Sequence, residues 1–432
     1  MQSSYRKITV GSIIAVYTLL QLLILVVFGY TPYPDSNGYI LLAQDSVKYG
    51  ETYPIASKAQ EIAFLWNLGS INITALSLFL FGSIKPVLIL YSFLKGATVW
   101  LTYAITQKLF GNRIAFFTLL LYIIYPANYG EGTSLLSETP FLFFCLLGIY
   151  LSITHSHIIG GICIGIGNWF RPMGLVFLLS LIIYYAFNNY HIKRRFINLL
   201  FGYAIILFII GSINFLHSKR FIYQAQTGWM ALMQYSWDHD SDKSKDYQLF
   251  VNKDPNNISH RHLDYVQKDS VWRSHFIIWL QNNPLEYISQ MPRKLLDIFV
   301  SDNVNMCTFI PSKDEKEYMY EEVSMNALIK AFPHFSPVQI LTLINLFIYY
   351  LLLIGALFQI ILSAIYRIRK KKEKLFISKL LPMNVIIIGT LVLLLFGHGE
   401  ARFHIPFMPF IIMLASITIL QLIERIRRVY RL

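Results

Sequence analysis

The sequence predicts an all-α polytopic membrane protein. Hydrophobic residues make up 55% of the 432 residues and charged residues only 14%, whereas ordinary soluble domains carry about 25% charged residues. Apolar stretches of roughly membrane-spanning length recur along the chain, and basic residues form short clusters between them. This pattern is typical of one multi-spanning unit rather than of several soluble domains.

About ten segments are predicted to cross the membrane as helices. Several in the middle are shorter than the roughly 20 residues that a perpendicular helix needs, so we expect neighbouring helices or a cavity to shield them. The first, from Ile8 to Phe28, is too long for the apolar core of a signal peptide and is interpreted as a retained anchor. The predicted spans are about 8–30, 86–107, 114–127, 138–154, 158–170, 173–190, 196–216, 338–366, 376–397 and 402–423.

Three basic clusters, Lys193 to Arg195, Arg367 to Lys374 and Arg425 to Arg431, set the expected orientation. All three face the cytoplasm, as the positive-inside rule requires, if both termini are cytoplasmic and the stretch 63–84 does not cross. Asparagines and glycines interrupt that stretch, and we interpret it as an interfacial or re-entrant segment. The formal net charge of +13 is therefore attributed to cytoplasmic loops, and no nucleic-acid-binding module is visible.

Two long polar segments divide the chain into three predicted regions. An N-terminal transmembrane module covers 1–217 and includes a first outer loop over 31–85, with juxtamembrane helices. A larger loop region on the outer (periplasmic) face covers 218–337, and C-terminal transmembrane helices cover 338–432. Long loops in a compact protein are usually functional. Because both lie on one face, the chain favours an enzyme at the outer surface over a transporter with inverted repeats.

The stretch "YPDSNGY" places an acid, Asp35, directly after the first apolar run. The residues Pro34 to Gly38 form a dense turn signal, and Asp is a good helix N-cap. Apolar residues then recur at helical spacing until Gly50. From spacing alone, Asp35 is either a capping residue or a carboxylate that reacts.

Six segments, in order, resemble the GT-C membrane glycosyltransferases of the protein-mannosyltransferase and aminoarabinose-transferase type. The first is "YPDSNGYILLAQDSVKYGETYP", with an acid, a Tyr four residues on and a short helix ending in Gly-x-x-Tyr-Pro. The last is "GHGEARFHIPFMPFII", with Glu-x-Arg-Phe and a proline. Many relatives have a second acid after the first, where this chain has Ser36. The six segments are 33–54, 91–126, 135–151, 160–179, 282–299 and 397–412.

The resemblance implies a GT-C-type fold and an inverting glycosyltransferase, which moves a sugar from a polyprenyl-phosphate donor to an acceptor hydroxyl at the outer face. Asp35 occupies the family's catalytic acid position and is predicted to be the general base. Glu138 matches the family's second acid, which helps to shape the acceptor or metal pocket, and is predicted to be the second catalytic residue. Its alternative is a helix-start acid that complements the helix dipole.

Cationic and polar residues near these acids are predicted to bind substrate. Arginine matches the growing charge of a lipid-phosphate leaving group. For Arg402 the alternative is an interface arginine, for Arg171 a structural pair with Glu138, and for Lys85 a headgroup anchor. The predicted substrate-binding residues are Tyr39, Lys85, Arg171, His398, Glu400 and Arg402.

No metal site is predicted. Asp238, His239 and Asp240 lack a further ligand at helical or hairpin spacing, although Ser36 leaves a divalent cation an open question. The expected partners are the donor lipid, membrane lipids and a glycan, lipid or protein acceptor. The expected location is a bacterial inner membrane, with the active site facing the periplasm. Two alternatives stay open: a flippase or transporter for lipid-linked sugars or polysaccharides, and an O-antigen-type polymerase or ligase.

Overall fold

The protein is a bundle of α-helices connected by short turns and by helical loop segments. The computed structural model describes residues 2–53, 66–187, 192–225, 228–229, 231–232, 265–310, 322–332, 334–368, 374–397 and 399–429. Helices of the first half are α1 Gln2–Phe28, α2 Pro34–Tyr49, α3 Leu68–Phe81, α4 Lys85–Phe110, α5 Asn112–Ile124, α6 Glu138–Ile153, α7 His157–Phe170, α8 Gly174–Phe187 and α9 Ile192–Ser218. Helices of the second half are α10 Tyr265–Asn282, α11 Pro284–Ser289, α12 Met291–Phe299, α13 Met325–Ala331, α14 Pro337–Ile368, α15 Lys374–Phe396 and α16 Met408–Val429.

Each of the ten predicted spans corresponds to a helix or, for the last, to a 3₁₀ turn that continues into α16. Within the described residues, six helical segments are long and apolar enough to cross a membrane. The other four predicted spans are α5, α6, α7 and α8, which have 13 to 16 residues. The prediction of an all-α polytopic membrane protein is confirmed. The three-region division stays a prediction, although the described parts of 218–337 include the helices α10 to α13.

Three chain segments meet at one end of the bundle, which we call the loop end. The backbone N–H of Thr31 donates to the carbonyl of Thr133 at 3.1 Å, and the Thr31 hydroxyl donates to Thr308 at 3.2 Å. These contacts join the end of α1 to the turn before α6 and to the segment after α12. They bring sequence-distant loops to one place.

Helix α3 is tied to α7 at its start and turns directly into α4 at its end. At its start, the Asn67 side chain donates to the carbonyl of Asn168 near the end of α7, at 2.8 Å. At its end, Gly82 in the left-handed conformation (φ +62°) turns the chain directly into α4. A helix of 14 residues is about 21 Å long, which is shorter than a bilayer core of about 30 Å. Its length does not distinguish α3 from α5, α7 and α8, which have 13 or 14 residues, so the interpretation of 63–84 as a non-crossing segment stays a prediction.

Close helix packing in the first half depends on glycine. A Cβ added to Gly161 in α7 would lie 2.1 Å from the carbonyl oxygen of Leu199 in α9. A Cβ added to Gly202 would lie 2.1 Å from the carbonyl oxygen of Ile158. Small residues let two membrane helices approach until their backbones touch. The α7–α9 contact can form only because neither position has a side chain.

Replacement of Gly161 by Ala is expected to lower thermal stability in detergent, because the added methyl group would force α7 away from α9. Overpacking of this kind costs about 1–3 kcal/mol. Gly11→Ala is the matched control, since a Cβ there meets nothing within 4 Å and alanine favours the helix. Equal melting temperatures for the two variants would contradict this account of the interface.

Candidate active site

Asp35 lies in the first turn of α2, which begins at Pro34. Tyr33 is the N-cap residue and α2 has no side-chain cap, so the interpretation of Asp35 as a cap is wrong. The residues that flank Pro34 and Asp35 are both held by hydrogen bonds. The Tyr33 hydroxyl donates to the carbonyl of Val304 at 2.6 Å. The Ser36 hydroxyl, fully buried, donates to the carbonyl of Leu135 at 3.0 Å. The backbone therefore holds Asp35 in a fixed place.

The carboxylate of Asp35 forms an ion pair with Arg402, from the turn before α16. The guanidinium Nη2 lies 2.7 Å from Oδ2 of Asp35, and the Nε lies 2.6 Å from Oε1 of Glu400. The Arg402 guanidinium therefore bridges the two carboxylates. The Asp35 side chain is 26% exposed and that of Arg402 is 14% exposed, so the carboxylate is open to a substrate while its partner is mostly covered.

A second ion pair, Glu138–Arg171, lies beside the first. Glu138 begins α6 and is 1% exposed, and it pairs with Arg171 at the end of α7. The Arg171 guanidinium also lies over the Phe403 ring, 5.0 Å from its centroid. Because Phe403 follows Arg402 directly, the two pairs share one wall. The structural pairing considered for Arg171 is thus formed.

The cluster has three carboxylates and two guanidinium groups, which leaves a net charge of −1 when all are ionised. A carboxylate accepts hydrogen bonds only, and a guanidinium has five N–H donors. Each arginine contacts one or two acids, so donors remain for an anionic group. The cluster can therefore accept a proton at Asp35 and donate hydrogen bonds to an anion nearby.

Tyr39, one helical turn after Asp35, lines the same cluster from α2. It is 4% exposed, and its ring contacts Trp66 at 5.7 Å between centroids. Burial raises the pKa of the Tyr39 phenol well above its usual range, and the carboxylates of Asp35 and Glu138 raise it further. Tyr39 therefore stays protonated at neutral pH and can act as a hydrogen-bond donor.

Two predicted substrate-binding residues are not placed in this cluster. Lys85 is the exposed first residue of α4, and in the described part of the chain it forms no ion pair with the acids. His398 lies outside the described residues, as do Asp238, His239 and Asp240. No group of three or more His, Cys, Asp or Glu side chains arranged to hold a metal ion is found among the residues that the structure describes.

Sequence reasoning missed a second buried ion pair, formed by Lys95 in α4 and Glu131. Both side chains are almost fully buried, and the Thr139 hydroxyl donates to Glu131 at 3.1 Å. A lysine inside an apolar span is a signal in itself, since such a residue usually faces a partner. Lys294 in α12 was also missed, because α12 reads as an ordinary amphipathic helix.

Comparison with solved structures shows that this architecture is of the GT-C type, as the sequence predicted. The oligosaccharyltransferase of Archaeoglobus fulgidus in its apo form matches with a TM-score of 0.51 and 12% identity, over 97% of this chain and 51% of that chain. ArnT from Cupriavidus metallidurans bound to undecaprenyl phosphate matches with a TM-score of 0.42 and 14% identity, over 95% and 77%. The chain spans about half the length of the archaeal protein. No protein-family model and no curated protein sequence matches it.

Substitution of Arg171 by Met is expected to destabilise the protein by about 3–5 kcal/mol, because it leaves the Glu138 carboxylate buried without its cation. The double variant Arg171→Met/Glu138→Gln should recover most of the loss. Arg113→Met is the matched control. Its pair with Glu424 is exposed and contributes about 0–1 kcal/mol. Thermal unfolding in detergent measures all three, and a similar loss for Arg171→Met and Arg113→Met would contradict the expectation.

Proposed function

We propose that the protein is an inverting glycosyltransferase that moves a sugar from a polyprenyl-phosphate donor to an acceptor hydroxyl. The single observation that carries the proposal is the partly exposed carboxylate of Asp35, held by Arg402 at the start of an anchored helix. A base needs both reach and fixed geometry. The Asp35 carboxylate is exposed enough to reach an acceptor and is held in place by its ion pair. The same cluster contains arginines that can bind the phosphate of the donor.

In the proposed reaction the acceptor oxygen attacks the anomeric carbon of the sugar. A bond forms between these two atoms, and the bond from the anomeric carbon to the phosphate oxygen breaks. The electron pair of that bond leaves with the polyprenyl phosphate. The acceptor proton moves to the Asp35 carboxylate, which is the general base. Attack on the face opposite the leaving group inverts the anomeric carbon.

Negative charge builds on the phosphate as it leaves, and Arg402 and Arg171 are the proposed donors to it. Arginine binds phosphate oxygens with two parallel hydrogen bonds, and fixed donors at developing charge are a large source of catalysis. Glu138 and Glu400 hold the two guanidinium groups in place through their ion pairs. Tyr39 is a proposed donor to the acceptor or the sugar.

The donor class and the location of the reaction rest on the six ordered motifs and on charge. We propose a bacterial inner membrane with the loop end facing the periplasm, because the basic clusters then face the cytoplasm. The GT-C-type fold supports the class of reaction. The acceptor class is a glycan, a lipid or a protein. Membrane lipids surround the helices, and Lys85 is a proposed contact to headgroups or to the donor phosphate.

Asp35→Asn is expected to lower the rate of sugar transfer by about 100-fold or more, the range that general base catalysis supplies. Its matched control is Asp45→Asn, a partly exposed acid on the same helix, which should keep the wild-type rate. The measurement is transfer from radiolabelled polyprenyl-phosphate sugars by protein in liposomes. Full activity of Asp35→Asn with an intact fold would exclude Asp35 as the base.

Deletion of the gene is expected to cause the donor to accumulate, because a donor that is made but not used stays in the membrane. Profiling of lipid-linked sugars by mass spectrometry would reveal its identity. A flippase deletion would also change this profile, but with the lipid-linked sugar confined to the cytoplasmic leaflet. Accumulation on the outer leaflet supports the transferase, and an unchanged profile would contradict it.

A further inference from the structure

We propose that Lys294 is a positioning residue that sets the place of Arg402 in the active site. The inference rests on the proposed function, in which Arg402 holds Asp35 and the leaving phosphate. In the described residues, Lys294 donates hydrogen bonds to backbone carbonyls. It acts through the chain segment that carries Arg402.

Lys294 lies on α12 and is fully buried, which is rare for a lysine without paired acceptors. Its ammonium group donates to the carbonyls of Leu394 and Gly397, both at 3.3 Å, and lies 4.8 Å from the centroid of the Tyr287 ring. Leu394 is in the last turn of α15. The final carbonyls of a helix have no partner within the helix and attract cations, so Lys294 stabilises this end.

The contact to Gly397 reaches beyond the helix into the segment that leads to Arg402. Gly399 packs so closely on α12 that an added Cβ would lie 2.8 Å from Cβ of Asp297. On the far side of Arg402, Nδ1 of the buried His404 hydrogen-bonds with the carbonyl of Ile298 at 2.7 Å. One short helix thus holds the chain on both sides of Arg402.

Burial lowers the pKa of the Lys294 ammonium group to about 8, so the group is still largely protonated at neutral pH and can donate to both carbonyls. A lysine that capped α15 for stability alone would need only the helix carbonyl. The second hydrogen bond, to Gly397, ties that cap to the active-site segment. An error of about 1 Å in the position of a catalytic group can cost about 100-fold in rate. Loss of the Lys294–Gly397 hydrogen bond is therefore expected to slow sugar transfer.

Tyr287 provides a matched control, because its hydroxyl donates to the carbonyl of Leu395 at the same end of α15 and not to Gly397. Lys294→Met is expected to lower kcat by about 10- to 100-fold with KM for the donor within about twofold. Tyr287→Phe should lose thermal stability but keep kcat. Lys294→Arg keeps a charged donor and should retain most of the wild-type kcat. This variant still tests the proposal if Lys294→Met folds poorly.

A double-mutant cycle tests whether Lys294 acts through Arg402. Lys294→Met/Arg402→Gln should be no slower than Arg402→Gln alone, since two residues that act as a unit are not additive. Hydrogen exchange of the amides in 399–404 should rise in Lys294→Met and not in Tyr287→Phe. Wild-type kcat in a folded Lys294→Met protein overturns the inference, as does full additivity in the cycle.

The two proposals fail in different ways. If the wild-type protein transfers no sugar from any polyprenyl-phosphate donor, the proposed function has failed, and the exchange measurement still decides whether Lys294 holds the segment. Unchanged exchange at 399–404 in Lys294→Met then overturns the anchoring. If the wild type is active and Lys294→Met is equally active, only the inference about Lys294 has failed.

Discussion

The ion pair between Asp35 and Arg402 connects the first loop of the chain to the start of its last helix. Two opposite charges with 26% and 14% side-chain exposure attract each other more strongly than in water, because the local dielectric is lower. The pair needs α1, α2 and α16 to present their ends at one side of the bundle. The remaining contacts of the loop end hold these helix ends together. Tyr33 and Ser36 fix the position of Asp35, and α12 holds the segment around Arg402.

Buried charge is unusually common around this pair. Glu138–Arg171 and Lys95–Glu131 are both mostly or fully covered, and the buried ammonium group of Lys294 donates to two backbone carbonyls. A buried pair seldom adds much stability over an apolar pair of the same shape, but loss of one partner is costly. Such a network fixes the relative placement of helices more than it strengthens the fold. That is what a site assembled from distant loops requires.

Much of the architecture could be predicted from the sequence, because hydropathy alone marks apolar helices. Each of the ten predicted spans contains a helix in the structure, and the interpretation of the stretch 63–84 as a non-crossing segment stays a prediction. The candidate residues Asp35, Glu138, Arg171 and Arg402 do meet in space. Their pairing was harder to predict, since Asp35 and Arg402 lie at opposite ends of the chain. Periodicity also placed Asp35 just before a helix that in fact begins one residue earlier. Lys294 gave no signal, because only the fold shows that its side chain points at carbonyls.

The hydrogen bond from Ser36 to Leu135 has a consequence for how this chain can evolve. Many members of the family that it resembles carry an acid at this position, but a carboxylate accepts hydrogen bonds and cannot donate to a carbonyl. An aspartate at 36 would place two acceptors against each other in a fully buried spot. A substitution of Ser36 by aspartate alone would therefore remove the anchor of Asp35. An acid at this position would be tolerated only together with a compensating change around Leu135.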